Sequence, residues 1–259
     1  MQADDQPVIL KEWHGAVLLV TLNRPGVSNV LNPELLREFS NIWAEASSPA
    51  CRVVVLTGAG RNFCGGADLS AQWGDAGGMP LRDLFHPPYL AMAAYQKPII
   101  AAINGAAAGG GLGLALASDI RIAAEGARLV PGWAQIGLVP DLGASWFAPR
   151  LVGEARAFEW FASGRAMDTA EALALGLVTE VVPRETLVAR ALERAQALAA
   201  QPGNAVALTK RLLAESRKNA LAEQLETEVK IQDLAIAAPE RAAQIAARMA
   251  SFTKTEART

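Results

Sequence analysis

At 259 residues, half of them hydrophobic, the chain is long enough for one large domain, or one domain with a small appendage, around a sizeable core. A formal charge of −2, without a long run of one sign, argues against nucleic acid or an anionic membrane as the main partner. Cys51 and Cys64 are the sole cysteines, too few for a disulfide framework and suited to a reducing cytoplasm.

The opening MQADDQPVIL is acidic and short of apolar residues, so no signal peptide is expected. The first strand signal is AVLLVTL at 16–22, and NRPG then turns the chain. A helix follows in LNPELLREFSNIWAEA. Asn32 caps it, Pro33 takes its first position, and Leu35, Leu36, Phe39, Ile42, Trp43 and Ala46 share one apolar face. RVVVLTG (52–58), PIIAAI (98–103) and DIRIA (119–123) read as further buried strands, the last preceded by a helix in GLGLALAS. Scattered Gly and Pro mark loops at 68–88 and 130–143. The longest apolar run, 98–118, is too rich in Gly and Ala for a membrane span and contains Asn104. Beyond 154 helical patterns dominate, interrupted by a short strand, LVTEVV, at 177–182. Strand and helix alternate first, which predicts an α/β fold with a largely parallel sheet, followed by a helical C-terminal region.

One stretch stands apart. NGAAAGGGLGLALASD (104–119) holds five glycines between two apolar strands. Close packing of a helix on a sheet would account for it. A dinucleotide fingerprint fits poorly: Gly109, Gly111 and Gly113 lack its final spacing, and Glu125 comes too early for its acidic residue. A third reading is an anion site. N–H groups at a helix start have no intrahelical partner and carry partial positive charge, and glycine lets a carbonyl reach them. A second aimed N–H would complete an oxyanion hole, worth ~10²–10³ in rate per donor. NFCGGADL (62–69), also after a strand and also with paired glycines, supplies the candidate.

Together VTLNRP, LTGAGRNFCGGADL, KPIIAAINGAAAGGGLGLALASDIRIA, IGLVPDLGASWFAPRLVG and GRAMDTAEALALGLVTEVVP resemble the crotonase (enoyl-CoA hydratase/isomerase) superfamily, in the family's order over nearly the whole chain. The resemblance implies a ββα spiral core at 1–195 and a helical trimerisation region at 196–259, assembled as a homotrimer or a dimer of trimers. It implies an acyl-CoA thioester substrate, with coenzyme A as part of that substrate and no separate cofactor or metal. It assigns the two oxyanion donors to the N–H groups of Ala67 and Gly110. The CoA adenine would lie along Gly65, Gly66, Asp68 and Leu69, and Arg24 and Arg248 are further expected CoA contacts, Arg248 with Ile245 at the spacing of the family's F-x-x-K.

Two positions depart from the family's hydratases, which use paired glutamates. Gly113 and Trp133 stand where those glutamates would be. One carboxylate does stand in the loop GLVPDLG: Asp141. Asp after Pro can simply make a turn or cap a helix. The same segment is similar to that of 1,2-epoxyphenylacetyl-CoA isomerases, in which an Asp is the acid/base. Trp133, Ile136, Leu138 and Val139 are expected to wall Asp141 with apolar surface and raise its pKa. A single carboxylate suits a 1,3-proton shift, so the expected activity is an enoyl-CoA isomerase. The alternatives are a halobenzoyl-CoA dehalogenase with Asp141 as nucleophile, a hydratase with atypical acid/base, and a non-catalytic CoA-ester binder. Trp133, eight residues before Asp141, and His86, twelve before Pro98, match the dehalogenase pattern. Trp133 can equally be a pocket wall, and His86 a packing residue in a Pro-rich loop. Cys64 reads as a small buried residue.

Overall fold

The computed structural model describes residues 6–71, 80–239, 241–246 and 249. Contacts divide the chain into two compact units, 1–197 and 198–259.

The first unit is built on a six-stranded sheet. Its strands are β1 (Ile9–His14), β2 (Val17–Leu22), β3 (Val53–Gly58), β4 (Ile99–Ile103), β6 (Ile120–Ala124) and β9 (Glu180–Val182), side by side in that order. Only β1 runs antiparallel to its neighbour. Every residue of β3 and β4 is buried, which is what a parallel sheet covered on both faces demands and why these strands read as continuous apolar runs. A second, three-stranded sheet joins β5 (Ala106–Ala108), β7 (Arg128–Val130) and β8 (Met167–Asp168). These strands are too short to leave a periodic signature.

Helix α1 (Pro33–Ala46) follows the sequence reading closely. The Asn32 side chain accepts from Leu35 N–H at 2.9 Å, and the six expected apolar residues are all buried. Helix α2 (Leu81–Ala94) corrects the expectation of a loop reaching to residue 88. Pro87 and Pro88 stand inside it, and each lacks the N–H that would bond to the previous turn. The helix persists because Leu84, Phe85, Pro88, Tyr89 and Met92 bury one stripe. Helix α3 (Gly110–Ala117) leaves β5, and α4 (Ala144–Val152), α5 (Glu154–Ser163), α6 (Thr169–Ala174) and α7 (Leu187–Ala199) follow.

Among its described residues the second unit contains a helical hairpin of α8 (Gly203–Glu215) and α9 (Leu221–Ile236). Asn219 at the turn donates to Gln224 Oε1 at 3.1 Å and Thr227 Oγ1 at 3.2 Å. Among the described residues no helix is long and apolar enough to cross a membrane.

Candidate active site

The segment after β3 is held by two asparagines. Asn29 is fully buried, and its amide donates to the carbonyls of Ala59 at 2.9 Å and Asn62 at 2.8 Å. Its Oδ1 accepts from Arg24 N–H at 2.8 Å. Asn104, at the end of β4, donates to Gly58 O at 2.8 Å and Gly60 O at 3.0 Å and accepts from Gly58 N–H at 3.2 Å. Arg184 adds donors to the Gly60 and Arg61 carbonyls, each at 2.9 Å. A segment without a sheet partner for most of its length is thereby given defined backbone geometry.

Single-residue bridges then aim it. Leu31 N–H donates to Gly66 O at 2.7 Å, and Leu31 O accepts from Asp68 N–H at 2.9 Å. Across a planar trans peptide the C=O and the following N–H point in opposite directions. Ala67 N–H, between the two residues bonded to Leu31, therefore faces the other way. On that side lies Gly110. A Cβ built on Gly110 would sit 3.8 Å from Ala67 N, and one on Gly66 would sit 3.4 Å from Gly110 N. The parallel bridge between Cys64 and Ala107 fixes this approach, with Cys64 N–H donating to Ala106 O at 3.1 Å and Cys64 O accepting from Ala108 N–H at 2.9 Å.

Glycine is required here for stated reasons. Gly109 has φ 48° and ψ −122°, a conformation that turns β5 into α3 and that side chains resist. A Cβ at Gly111 would run into the Cys64 carbonyl, and one at Gly110 into Leu142 Cδ1. Gly110 is the first residue of α3, so its N–H has no intrahelical acceptor. Among the described residues neither Ala67 N–H nor Gly110 N–H has a hydrogen-bond partner. The structure brings two unpaired, glycine-cleared donors together.

Asp141 stands beside them. Trp133, only 4% exposed, donates its indole N–H to Asp141 Oδ1 at 2.9 Å and meets Phe161 edge to face. Its Nε1 lies 4.0 Å from a Cβ built on Gly109, so indole, carboxylate and glycine turn are contiguous. Asp141 has open surface, yet enough protein surrounds its carboxyl that burial pushes its pKa above the ordinary range. The Trp133 bond and the residue's own backbone N–H pull the other way. Solvent at one edge of a carboxylate seated on protein reconciles the two observations.

Leu142 ties Asp141 to the glycines. It is a non-glycine residue at φ 50°, followed by Gly143 at φ 82°. Its side chain reaches Gly110, and its carbonyl lies against Gly113: a Cβ there would sit 2.6 Å from Leu142 O and 3.2 Å from Leu142 Cβ. The room that a side chain at 113 would need is occupied by the turn that presents Asp141.

The remaining expected residues separate. Arg24 donates to Asp68 Oδ2 at 3.2 Å and to Val30 O at 2.7 Å, tying the NRPG turn to the CGGADL segment. Ser70 hydrogen bonds foremost, with Arg24 adding to them, hold the Asp68 carboxyl below the usual range. Gly65 and Gly66 lie on the same segment, and Leu69 is exposed. His86 lies on α2 rather than in a loop, is exposed, and has no polar contact with Asp141 among the described residues. Arg248 lies outside the described residues, and Ile245 is exposed. Ile136, Leu138 and Val139 do not wall the carboxylate within the chain. The 3₁₀ turn Ala134–Ile136 and the left-handed Gly137 project them into solvent. Cys64 is fully buried, which pushes its thiol up to about 12 and leaves it inert as a nucleophile. Sequence reasoning missed Tyr89, whose hydroxyl donates to Gly110 O at 2.7 Å. Its single sequence signal was a place in the apolar stripe of a helix hidden behind two prolines.

The chain is similar to known proteins over nearly its whole length. The family profile described as Enoyl-CoA hydratase/isomerase matches residues 12–257. The chain is 36% identical over 234 residues to a protein named 1,2-epoxyphenylacetyl-CoA isomerase from Escherichia coli, covering 88% of this chain and 89% of that one. It is 32% identical over 265 residues to 4-chlorobenzoyl coenzyme A dehalogenase-2 of an Arthrobacter species, covering 100% of this chain and 95% of the relative. The crystal structure of an enoyl-CoA hydratase from Bacillus anthracis superposes with a TM-score of 0.87 at 34% identity, over 94% of this chain and 96% of that one.

Proposed function

The chain belongs to the enoyl-CoA hydratase/isomerase family, and on that premise we propose that it is an enoyl-CoA isomerase with Asp141 as its sole acid/base. The thioester oxygen of a 3-enoyl-CoA accepts from Ala67 and Gly110 N–H. Asp141 takes a proton from C2, the electron pair moves into the thioester, and the C3–C4 π bond becomes part of a dienolate. Protonated Asp141 returns the proton at C4, leaving the double bond between C2 and C3. The donors act where charge develops, and the raised pKa suits a carboxylate that must both take and return a proton. Arg24, Asp68 and the backbone of 65–69 serve the CoA moiety in the same reading.

The observation that carries this reading is the Trp133–Asp141 pair beside the two unpaired donors, with Gly113 closed to a second carboxylate. Asp141→Asn is the test. It should abolish conversion of 3-enoyl-CoA to 2-enoyl-CoA while acyl-CoA binding persists, and full activity would overturn the assignment. Rapid hydration of crotonyl-CoA by the wild type would also overturn it.

The Trp133–Asp141 bond favours a second reading as well. An indole that fixes one carboxylate oxygen leaves the other to attack an aromatic carbon, as a hydrolytic dehalogenase requires. Halide release from 4-chlorobenzoyl-CoA distinguishes the two, and none is expected. The proposed assembly is a homotrimer or dimer of trimers using residues 196–259. Exposed apolar surface supports it, at Ile136, Leu138 and Val139 in one unit and Leu221 and Val229 in the other. Sedimentation equilibrium at a monomer mass would exclude it.

A further inference from the structure

Three consecutive glycines set the direction of the Gly110 N–H. Gly109, Gly110 and Gly111 have no Cβ to restrict their dihedrals, and α3 opens without a side-chain cap. Such a stretch needs an outside tie to hold an N–H in one direction. Among the described residues Tyr89 is the side chain that hydrogen-bonds to it. Its hydroxyl donates to Gly110 O at 2.7 Å from a fully enclosed position on α2, among the buried Leu84, Phe85, Pro88 and Met92. As the first helical residue, Gly110 also offers that carbonyl to the N–H four residues on. The phenol therefore uses a second lone pair and is an added restraint on the glycine turn.

We propose that Tyr89 is a positioning residue for the thioester-oxygen site, pinning the Gly110 carbonyl and so holding the Gly110 N–H on its target. This inference rests on the oxyanion role given above to Gly110. Burial foremost, with the nearby Asp141 carboxylate adding to it, raises the Tyr89 hydroxyl well above the ordinary phenol range and favours its role as a donor. The other buried tyrosine of the first unit, Tyr95, donates to Ala46 O at 2.9 Å, at the end of α1. The two phenols have the same chemistry, and one of them touches the site.

The test uses the whole protein and butyryl-CoA labelled with ¹³C at its thioester carbonyl. Two donors on the thioester oxygen lower the carbonyl stretch of the bound ester relative to the free one. Tyr89→Phe should lose part of that shift. It should also lower kcat on a 3-enoyl-CoA by about ten- to a hundred-fold, less than outright removal of a donor, with KM nearly unchanged. Tyr95→Phe should leave both readouts at wild-type values. If Tyr89→Phe does not fold, replacing Tyr89 by 4-aminophenylalanine keeps the ring and one donor and should preserve the shift. A wild-type shift and kcat in Tyr89→Phe, or loss of the shift in the amino variant, would overturn the proposal. Asp141→Asn should stop turnover and leave the carbonyl shift intact, so failure of the acid/base assignment reads differently from failure of this one.

Discussion

Replacing Gly113 by alanine adds one methyl group, and the structure states where it goes. The new Cβ would lie 2.6 Å from Leu142 O, whereas ordinary contact begins at 3.4 Å, a shortfall of about 0.8 Å. The obstacle is backbone, so rotation of a side chain cannot relieve it. Leu142 already sits at φ 50°, which leaves its turn little freedom to yield. Either α3 or the 141–143 turn must move by most of that shortfall, and Asp141 moves with the turn. Displacement of a catalytic group by about 1 Å costs on the order of 10² in rate. The overpacking should also cost ~1–3 kcal/mol of stability. We expect Gly113→Ala to reduce kcat for 3-enoyl-CoA isomerisation by about a hundred-fold with KM nearly unchanged, read by steady-state kinetics beside a thermal melt. Gly113→Glu should do the same and gain no hydratase activity, because its carboxylate has no room. Wild-type kcat in Gly113→Ala would refute the reasoning.

Three further outcomes follow from named contacts. Trp133→Phe removes a hydrogen bond that favours ionised Asp141, so its pKa rises further and the acid limb of the kcat–pH profile moves to higher pH. A profile that stays in place or moves down would contradict the pairing. Asp141 itself costs stability when ionised. Its folded pKa lies above the unfolded value near 3.8, so the stability linked to its proton is complete below 3.8 and is lost as pH rises through the folded pKa. Asp141→Asn should therefore raise Tm at pH 7 relative to wild type and lose that advantage at pH 3, which paired melts will show. Asn104→Ala leaves the buried polar groups around Gly58 short of partners and should cost about 2–3 kcal/mol in denaturant unfolding.

The central strands were legible because a covered parallel sheet writes itself as runs such as VVVLT and IIAAI. Helix α1 was legible to its cap because Asn32 and Pro33 act locally. Helix α2 was not, since burial of Leu84, Phe85, Tyr89 and Met92 outweighs two prolines and burial is a property of the folded chain. Asp141 and its indole partner were legible as a spacing of eight residues within a motif that resembles relatives. Of the apolar wall expected around it, Trp133 lies on the carboxylate, whereas Ile136, Leu138 and Val139, on either side of a left-handed Gly137, are exposed. The direction of Ala67 N–H came with the resemblance alone and could not be read from the local residues. It depends on pairing with Leu31, a residue that local sequence does not connect to it.

That pairing has a consequence for how such a chain can vary. Both candidate donors are main-chain groups, so most changes of residue type leave them in place. Chain length is different. The bridges at Cys64–Ala107 and Leu31–Ala67 fix the count of residues between them, and Gly66, at φ 97°, makes the turn from one to the other. One residue inserted between Cys64 and Ala67 would break one of the two bridges and take the Ala67 N–H out of its place beside Gly110. The segment is therefore expected to reject any single-residue insertion or deletion, and to keep glycine at 66, where φ is 97° and a Cβ would sit 2.9 Å from Ala108 O.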